Sequence, residues 1–483
     1  MAGIISFGAF IPRYRLNRMM MFASMGWFNP VTMAVAAGEK AVANYDEDTI
    51  TMAVAASMDA LADDQASAGI DGLYAASTTF PYQERLNANI IAAALDLNPN
   101  IRSMDFSAAL KSGTSAILAA LDSIESGQNK KIMVAASDSR LGKPGSMQEH
   151  FYGDGAGAVL IGNENVAVEF KSSFSISVDF VDHFRSAGRK FDRTWEERWI
   201  RDEGFTKVIP EAIKGLLKKT GLNLSDFSKV IYPCHFSREH SGIAKKLGLD
   251  RSQMQSMMMD EVGDTGSAHP LLMLAAALEK AKPKDKILLV SYGGGADALY
   301  FEVTEEILNR KPKKGVSGYL ARREDMNSYQ KYVVFRDIIP VELGLRGEVQ
   351  APTAFSVLWR ERRMVLGLVG SKCRKCGSPQ FPPQRICANP ACGSVDQMDP
   401  YRFAGKKGTI FTYTGDMLAF SYDPPQIYGM AEMEGGGKLF LDFTDCNLEQ
   451  LKVGQPVEIS FRRKYYDDAR GIHGYFWKAI PTS

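Results

Sequence analysis

The chain has 483 residues, with 57 Lys and Arg against 56 Asp and Glu, a formal net charge of +1, 45% apolar residues and 23% charged ones. At ~100–200 residues per domain this length makes two to four domains, and the neutral balance removes the electrostatic case for nucleic acid or an anionic membrane as partner. No apolar run approaches the roughly 20 residues that span a bilayer, and the N-terminus lacks the charged-then-apolar order of an export signal, so a cytoplasmic protein is expected.

From residue 1 to about 305, short β-branched runs alternate with Ala-rich stretches, the rhythm of a layered α/β protein. "IISFGAFIP" (4–12) reads as a strand, "TITMAVAASMDALA" (49–62) as a buried helix, and "KKIMVAAS" (130–137) and "GAVLIG" (157–162) as strands. "KVIYPCH" (229–235) and "KILLVSYGGG" (286–295) are two more, the second preceded by an Ala/Leu helix over 271–282. Residues 306–370 are basic and polar, with "RKPKKG" (310–315) and "LWRERR" (358–363), and read as an exposed connector with helices on the surface of the first domain. After a Pro/Gly/Cys-rich stretch over 371–400, short runs broken by Gly, Pro and Asp predict a small β-barrel.

Four of the six cysteines, Cys373, Cys376, Cys387 and Cys392, are spaced C-x2-C-x10-C-x4-C. Two close pairs, each followed by a glycine, can converge four thiolates on a tetrahedral zinc, with no open coordination position, so the metal serves folding rather than chemistry.

"GIISFGAFIPRYRL" (3–16), "GEKAVANYDEDTITMAVAA" (38–56) and "EKAKPKDKILLVSYGGGADA" (279–298) together resemble the bacterial and archaeal 3-hydroxy-3-methylglutaryl-CoA synthases of the thiolase superfamily. The likeness runs over roughly 1–345; beyond it the tail resembles the rubredoxin-like zinc ribbon and OB-fold barrel that accompany acyl-CoA condensing enzymes. The resemblance implies a five-layered, duplicated α/β domain with halves 1–165 and 166–345, each built on a five-stranded mixed sheet. The connector and ribbon follow over 346–400 and the barrel over 401–483. It also implies a homodimer, coenzyme A thioester substrates, and a further acyl-CoA enzyme as an open partner.

In that family a cysteine at the start of a buried helix carries the acyl group, aided by a glutamate, a histidine and an asparagine. The cysteine stands just before a Lys-small-Gly-Thr stretch, here Lys111, Ser112, Gly113 and Thr114, so its place falls on Leu110. The glutamate's place, before the Phe80-Pro81-Tyr82 stretch, falls on Thr78 or Thr79, with Glu84 close by. The histidine matches as His235. In "VGDTGSAHP" (262–270) the asparagine becomes Asp264 and His269 is added. Leu110, Thr78, Tyr82 and Glu84 are therefore expected against substrate, and His235, His269 and Asp264 are expected to do the chemistry, a carboxylate beside an imidazole forming an acid/base pair.

Cys234 adjoins His235, but neighbours on a strand face opposite ways, and Ser112 and Ser115 read as capping or packing residues. "FYGDGAGAVLIG" (151–162) lacks the Lys-Ser/Thr ending of a phosphate loop; its glycines fit a tight turn into a strand at a subunit interface. The basic run 310–315 reads as solvated. Two functions stand: carbon–carbon chemistry on acyl-CoA, with retro-aldol cleavage of a β-hydroxyacyl-CoA ahead of condensation through an unrecognised nucleophile, or a non-catalytic subunit that holds or channels acyl-CoA.

Overall fold

The computed structural model describes residues 1–62, 69–348 and 352–482, and the chain divides into two compact units. The first comprises Met1–Ala43, Met52–Ala88 and Asn98–Tyr332; the second comprises Asn44–Thr51, Asn89–Leu97 and Val333–Ser483. The long division thus falls after Tyr332 rather than at 345, and most of the segment read as a connector on the first domain groups with the ribbon and barrel.

Nine strands form the sheet of the first unit: β1 (Gly3–Phe10), β2 (Gly72–Ala76), β3 (Arg102–Phe106), β4 (Lys131–Ser139), β5 (Asp154–Gly162), β6 (Val168–Ser177), β7 (Lys229–Ile231), β8 (Lys286–Tyr292) and β9 (Gly295–Val303). Their order is β7-β8-β9-β6-β1-β5-β4-β2-β3. Duplication shows in the pairing. From β1 outward the sequence is two antiparallel steps and then two parallel ones, and from β6 outward it is two antiparallel steps and then one parallel. The second half therefore has four strands where the resemblance implies five. The missing edge is reduced to a single parallel bridge between Val230 and Met254. Within the sheet the halves pair at Gly3 with Glu169 and Ile4 with Val168.

Five helices matter for the site: α1 (Thr49–Leu61), α2 (Ser112–Glu125), α3 (Ile209–Thr220), α4 (Ser237–Leu247) and α5 (His269–Leu278). The α5 sequence is apolar all round and is buried nearly all round, as a helix in the middle layer of a stack must be. It lies against both α2 and β5. A Cβ on Gly113 would sit 2.5 Å from the Ser267 carbonyl, and one on Gly157 would sit 2.8 Å from Leu271 Cβ. On the second half, Ile209, Ala212, Ile213 and Leu216 of α3 belong to a core shared with Leu288, Val290 and Ala298.

In "FYGDGAGAVLIG", Gly155 and Gly157 lie inside β5 rather than at a turn, and Gly153 lets the 262–266 loop touch the strand entrance. There Gly153 N–H donates to the Asp264 carbonyl and Asp264 N–H to the Phe151 carbonyl.

In the second unit, β10 (Val369–Cys373), β11 (Pro379–Gln380) and β12 (Met398–Arg402) form the ribbon's antiparallel sheet in the order β11-β10-β12. The five strands β13 (Lys407–Asp416), β14 (Gln426–Met433), β15 (Lys438–Asp442), β16 (Pro456–Asp467) and β17 (Ile472–Pro481) run in the order β15-β14-β13-β16-β17, and a bridge from Phe443 to Ala479 turns the sheet on itself. Trp477 fills its interior and donates its indole N–H to the Leu366 carbonyl at 2.7 Å. Beside the barrel strands lies a fully buried ionic cluster. Arg462 meets Asp46 at 3.1 Å, Asp445 at 2.7 Å and Glu47, while Lys478 meets Asp46 at 2.9 Å. Three carboxylates against two cations leave one charge uncompensated, and burial holds the Glu47 carboxyl up at about 7 despite Arg462.

Two outcomes follow from this packing. A Cβ on Gly153 would lie 1.9 Å from the Val262 carbonyl, so Gly153→Ala should lower the thermal midpoint by an amount corresponding to about 1–3 kcal/mol of overpacking, measured by calorimetry. Because folded Glu47 binds its proton more tightly than the unfolded chain, whose value lies near 4.5, its stabilisation is complete below that pH and is lost as pH rises through about 7. Thermal midpoints measured from pH 5 to 8 should therefore fall more steeply in the wild type than in Glu47→Gln.

Candidate functional site

The helix α2 begins where a small-residue run meets Lys111, and its first turn is bound to the second half by one aspartate. Asp297 of β9 accepts from Lys111 Nζ at 3.0 Å, Thr114 Oγ1 at 2.9 Å and Ser115 Oγ at 3.2 Å. Ser112 Oγ donates to the Ser107 carbonyl at 3.1 Å, so both serines are engaged in holding the helix start. Ala108, two residues before Leu110, has φ of +72°, a left-handed conformation that costs a non-glycine residue energy. Leu110 then lies against the 293–295 glycine loop so closely that a Cβ on Gly293 would approach its backbone nitrogen to 2.7 Å.

A second aspartate, buried at the end of β4, ties down the residues where the family glutamate would stand. Asp138 Oδ1 accepts from Ser77 Oγ (2.9 Å), Thr78 N (2.7 Å), Thr78 Oγ1 (3.1 Å) and Thr79 Oγ1 (2.7 Å), and Oδ2 accepts from Ser267 N at 2.7 Å. Thr78 and Thr79 therefore spend their hydroxyls on a structural carboxylate. Gly266, at φ +60°, makes room for it, since a Cβ there would meet Oδ2 at 2.4 Å.

The third cluster centres on Arg140, fully buried two residues further on. Its Nε donates to Asp192 at 2.9 Å, its Nη2 to the Tyr152 hydroxyl at 2.8 Å, and its Nη1 lies 3.4 Å from Asp264 Oδ2. On the other side of Asp264 stands His235, with Nδ1 3.7 Å from the same oxygen. Burial by itself would raise the Asp264 carboxyl, but the His235 imidazole and the Arg140 charge outweigh it and hold the group well below the ordinary carboxylate range. The His235 ring is boxed by Phe151, Phe205 and Phe236, with centroids 5.0, 5.2 and 4.2 Å away. Phe205 comes from the π-helix Ile200–Val208, an irregular helix of the kind that recurs at functional sites.

Leu110, His235 and Phe205 all line two adjoining cavities of about 30 Å³ each. Asp264 and Cys234 line the first; Arg140, Phe151 and His183 line the second. The structure thus brings together Leu110, His235 and Asp264 but not the rest of the expected set. His269 is the first residue of α5, only 1% exposed, with Nδ1 3.2 Å from Thr265 Oγ1, and it does not line either cavity. Burial pushes its imidazole down towards the neutral form. Tyr82 stacks under Arg85, 4.6 Å from its ring centroid, Glu84 is exposed, and neither lines these cavities, nor does Thr78.

Cys234 departs from expectation in another way. β7 ends at Ile231, four residues short of His235, so strand alternation does not apply and both residues face the cavity. Burial pushes the Cys234 thiol up to about 12, which keeps it protonated and a poor nucleophile at neutral pH.

Asp138, Arg140, Asp182, His183 and Tyr152 went unread in the sequence. For Asp138 and Arg140 a signal existed: charged residues closing the otherwise apolar run "KKIMVAASDSR". For Asp182 and His183, in the patternless stretch 178–199, there was none.

In the ribbon, the four cysteine sulfurs lie within 4.8 Å of one another, Cys376 and Cys387 at 3.5 Å and Cys373 and Cys392 at 3.9 Å. A tetrahedron with zinc–sulfur bonds of about 2.3 Å has edges of about 3.8 Å, so the donors fit that ion. The turns beneath them are knuckles: Gly377 N–H donates to the Cys373 carbonyl and Gly393 N–H to the Asn389 carbonyl.

Three family models match the chain: the C-terminal part of 3-oxoacyl-[acyl-carrier-protein] synthase III over 217–299, the ChsH2 rubredoxin-like zinc ribbon over 360–396, and the ChsH2 C-terminal OB-fold over 401–462. The hydroxymethylglutaryl-CoA synthase of Methanocaldococcus jannaschii is 31% identical over 70% of this chain and 99% of its own length; that of Aeropyrum pernix is 33% identical over 69% and 94%. Among solved structures, an HMG-CoA synthase complexed with CoA superposes with a TM-score of 0.63 at 18% identity, covering 72% of this chain and 92% of that one. The 3-oxoacyl-[acyl-carrier-protein] synthase III of Aquifex aeolicus superposes at 0.55 with 21% identity, covering 62% and 100%. The thiolase-like fold, the duplicated sheet and the length of these matches lead to one conclusion: the chain belongs to the hydroxymethylglutaryl-CoA synthase family, carrying a ChsH2-type zinc ribbon and OB-fold at its C-terminal end.

Proposed function

We propose that the protein makes or breaks a carbon–carbon bond of a coenzyme A thioester by aldol chemistry, with no acyl-enzyme. The observation that carries this reading is Leu110. It lies two residues before α2 in the same cavity as His235, and the thiol there, Cys234, is held protonated. In the cleavage direction, His235 takes the hydroxyl proton of a β-hydroxyacyl-CoA. The bond between the α- and β-carbons breaks, the β-carbon leaves as a carbonyl, and the electron pair passes into the thioester enolate. The enolate is completed to acyl-CoA by protonation at the α-carbon, and the reverse order is aldol addition.

Anionic Asp264 supports His235 by stabilising the imidazolium that forms, a service an asparagine in that place would supply more weakly. Negative charge on the enolate oxygen is favoured near the positive end of α2. His269, behind Asp264, is a positioning residue in this scheme rather than the second base expected from the sequence.

The ribbon's zinc serves folding, since four thiolates complete its coordination. Four of the six cysteines gathered for a metal rather than for disulfides suit a reducing cytoplasm. The family relationship supports a homodimer, and the ribbon and barrel support association with another acyl-CoA enzyme.

Incubation with β-hydroxyacyl-CoAs of graded chain length should yield acyl-CoA and a carbonyl product, while mass spectrometry of the protein after exposure to acyl-CoAs shows no added mass. His235→Ala should lower cleavage by about 10²–10⁴-fold. An acyl adduct would sink the aldol reading in favour of condensation, and binding without turnover would leave an acyl-CoA-holding subunit. Elemental analysis should find one zinc per chain, and Cys387→Ala should lose both the metal and the ribbon's share of thermal stability.

A further inference from the structure

The cavity shared by Leu110 and His235 contains a second histidine that neither sequence nor family relationship marks. His183 lies in a two-residue strand, paired with Thr194, and its side chain is 21% exposed, the same figure as for His235. Its Nδ1 lies 2.8 Å from Asp182 Oδ1, and its own backbone N–H donates to that oxygen at 2.6 Å. Asp182 is itself fixed, since Trp195 N–H donates to its carbonyl at 3.0 Å and the Tyr292 hydroxyl bonds its carboxylate. An imidazole whose Nδ1 is engaged by a carboxylate keeps Nε2 for the cavity, the arrangement that fixes both tautomer and aim in an acid–base histidine.

The site thus has two imidazole–carboxylate pairs on different segments: His235 with Asp264 from the 232–236 and 262–266 loops, and His183 with Asp182 from the 182–184 strand. Of the six histidines, these two line the second cavity, together with Leu110 and Arg140. Arg140 belongs to both sides, meeting Asp264 and also Asp192, which Arg185 approaches to 3.6 Å.

We propose that His183, oriented by Asp182, is a second acid–base group of this cavity, and that it moves the proton at the α-carbon of the coenzyme A thioester. This rests on the aldol reading above. That reaction transfers protons at two atoms: one leaves the β-hydroxyl as the carbon–carbon bond breaks, and one joins the α-carbon as the enolate's electron pair forms the new C–H bond. With one pair for each atom, His235 need not release its proton and travel between them. In the addition direction, His183 removes the α-proton and the enolate's electron pair attacks the carbonyl carbon, whose oxygen takes its proton from His235.

The test separates the two transfers. The full-length protein is incubated with acetyl-CoA in D2O and deuterium at the α-carbon is followed by mass spectrometry, in parallel with cleavage of 3-hydroxybutyryl-CoA and longer β-hydroxyacyl-CoAs. Wild type should exchange and cleave. His183→Gln should lose exchange by about 10²-fold or more, Asp182→Asn by less, each with an unchanged thermal midpoint. His235→Gln should lose cleavage but keep exchange. If His183→Gln unfolds, the partial loss in Asp182→Asn carries the comparison. Wild-type exchange in His183→Gln, or equal loss of exchange in the His183 and His235 variants, overturns the assignment while the aldol reading stands. A wild type that neither exchanges nor cleaves overturns both.

Discussion

The buried guanidinium of Arg140 is the interaction on which the site depends. It draws Asp192, Asp264 and the Tyr152 hydroxyl around one charge, and those acids and the phenol in turn keep it protonated against burial. Taking such charges out of water is costly, and leaving one unpartnered costs about 3–5 kcal/mol. The partners are therefore fixed relative to one another, and the 262–266 loop, carrying Asp264, is held against the Phe151–Gly153 segment by backbone hydrogen bonds. His235 and Arg140 together keep Asp264 anionic against burial.

Asp138 and Asp297 extend the same principle. Each is a buried carboxylate saturated by donors from several elements: Asp138 by strand-end hydroxyls and the Ser267 amide, Asp297 by the first turn of α2. Asp297 fixes the chain just after Leu110, and Asp138 ties the 77–79 segment to Ser267. The Asp297 bonds to the first turn of α2 do not involve the Leu110 side chain.

The second unit relies on a different constraint. A ribbon of three short strands buries little apolar surface, so four converging cysteines supply what the core does not. The barrel has Trp477 and its own aromatic interior, and sets beside it the Asp46–Glu47–Arg462–Lys478 cluster. That cluster includes residues distant in sequence from the barrel strands, which is why no spacing argument marked them.

Much of the fold was legible in the chain itself. Apolar runs with turn signals marked β1, β4, β5 and β8 and the helices α1 and α5, because periodicity and burial are local consequences of side-chain order. Cysteine spacing marked the ribbon for the same reason, since ligand pairs close in sequence must share a turn. Leu110 and His235 were placed in one site by alignment of short motifs to a known family. What sequence could not decide was which polar groups meet. Asp264 and His269 are five residues apart, yet one lines the cavity and the other is buried behind it. Cys234 and His235 share a wall because the strand stops at Ile231, and Asp182 and His183 reach that wall from a stretch with no pattern at all. Direction and burial of a side chain are set by what packs around it, and the neighbours here come from both halves of a duplicated domain, so only the tertiary structure could bring two imidazole–carboxylate pairs to one leucine.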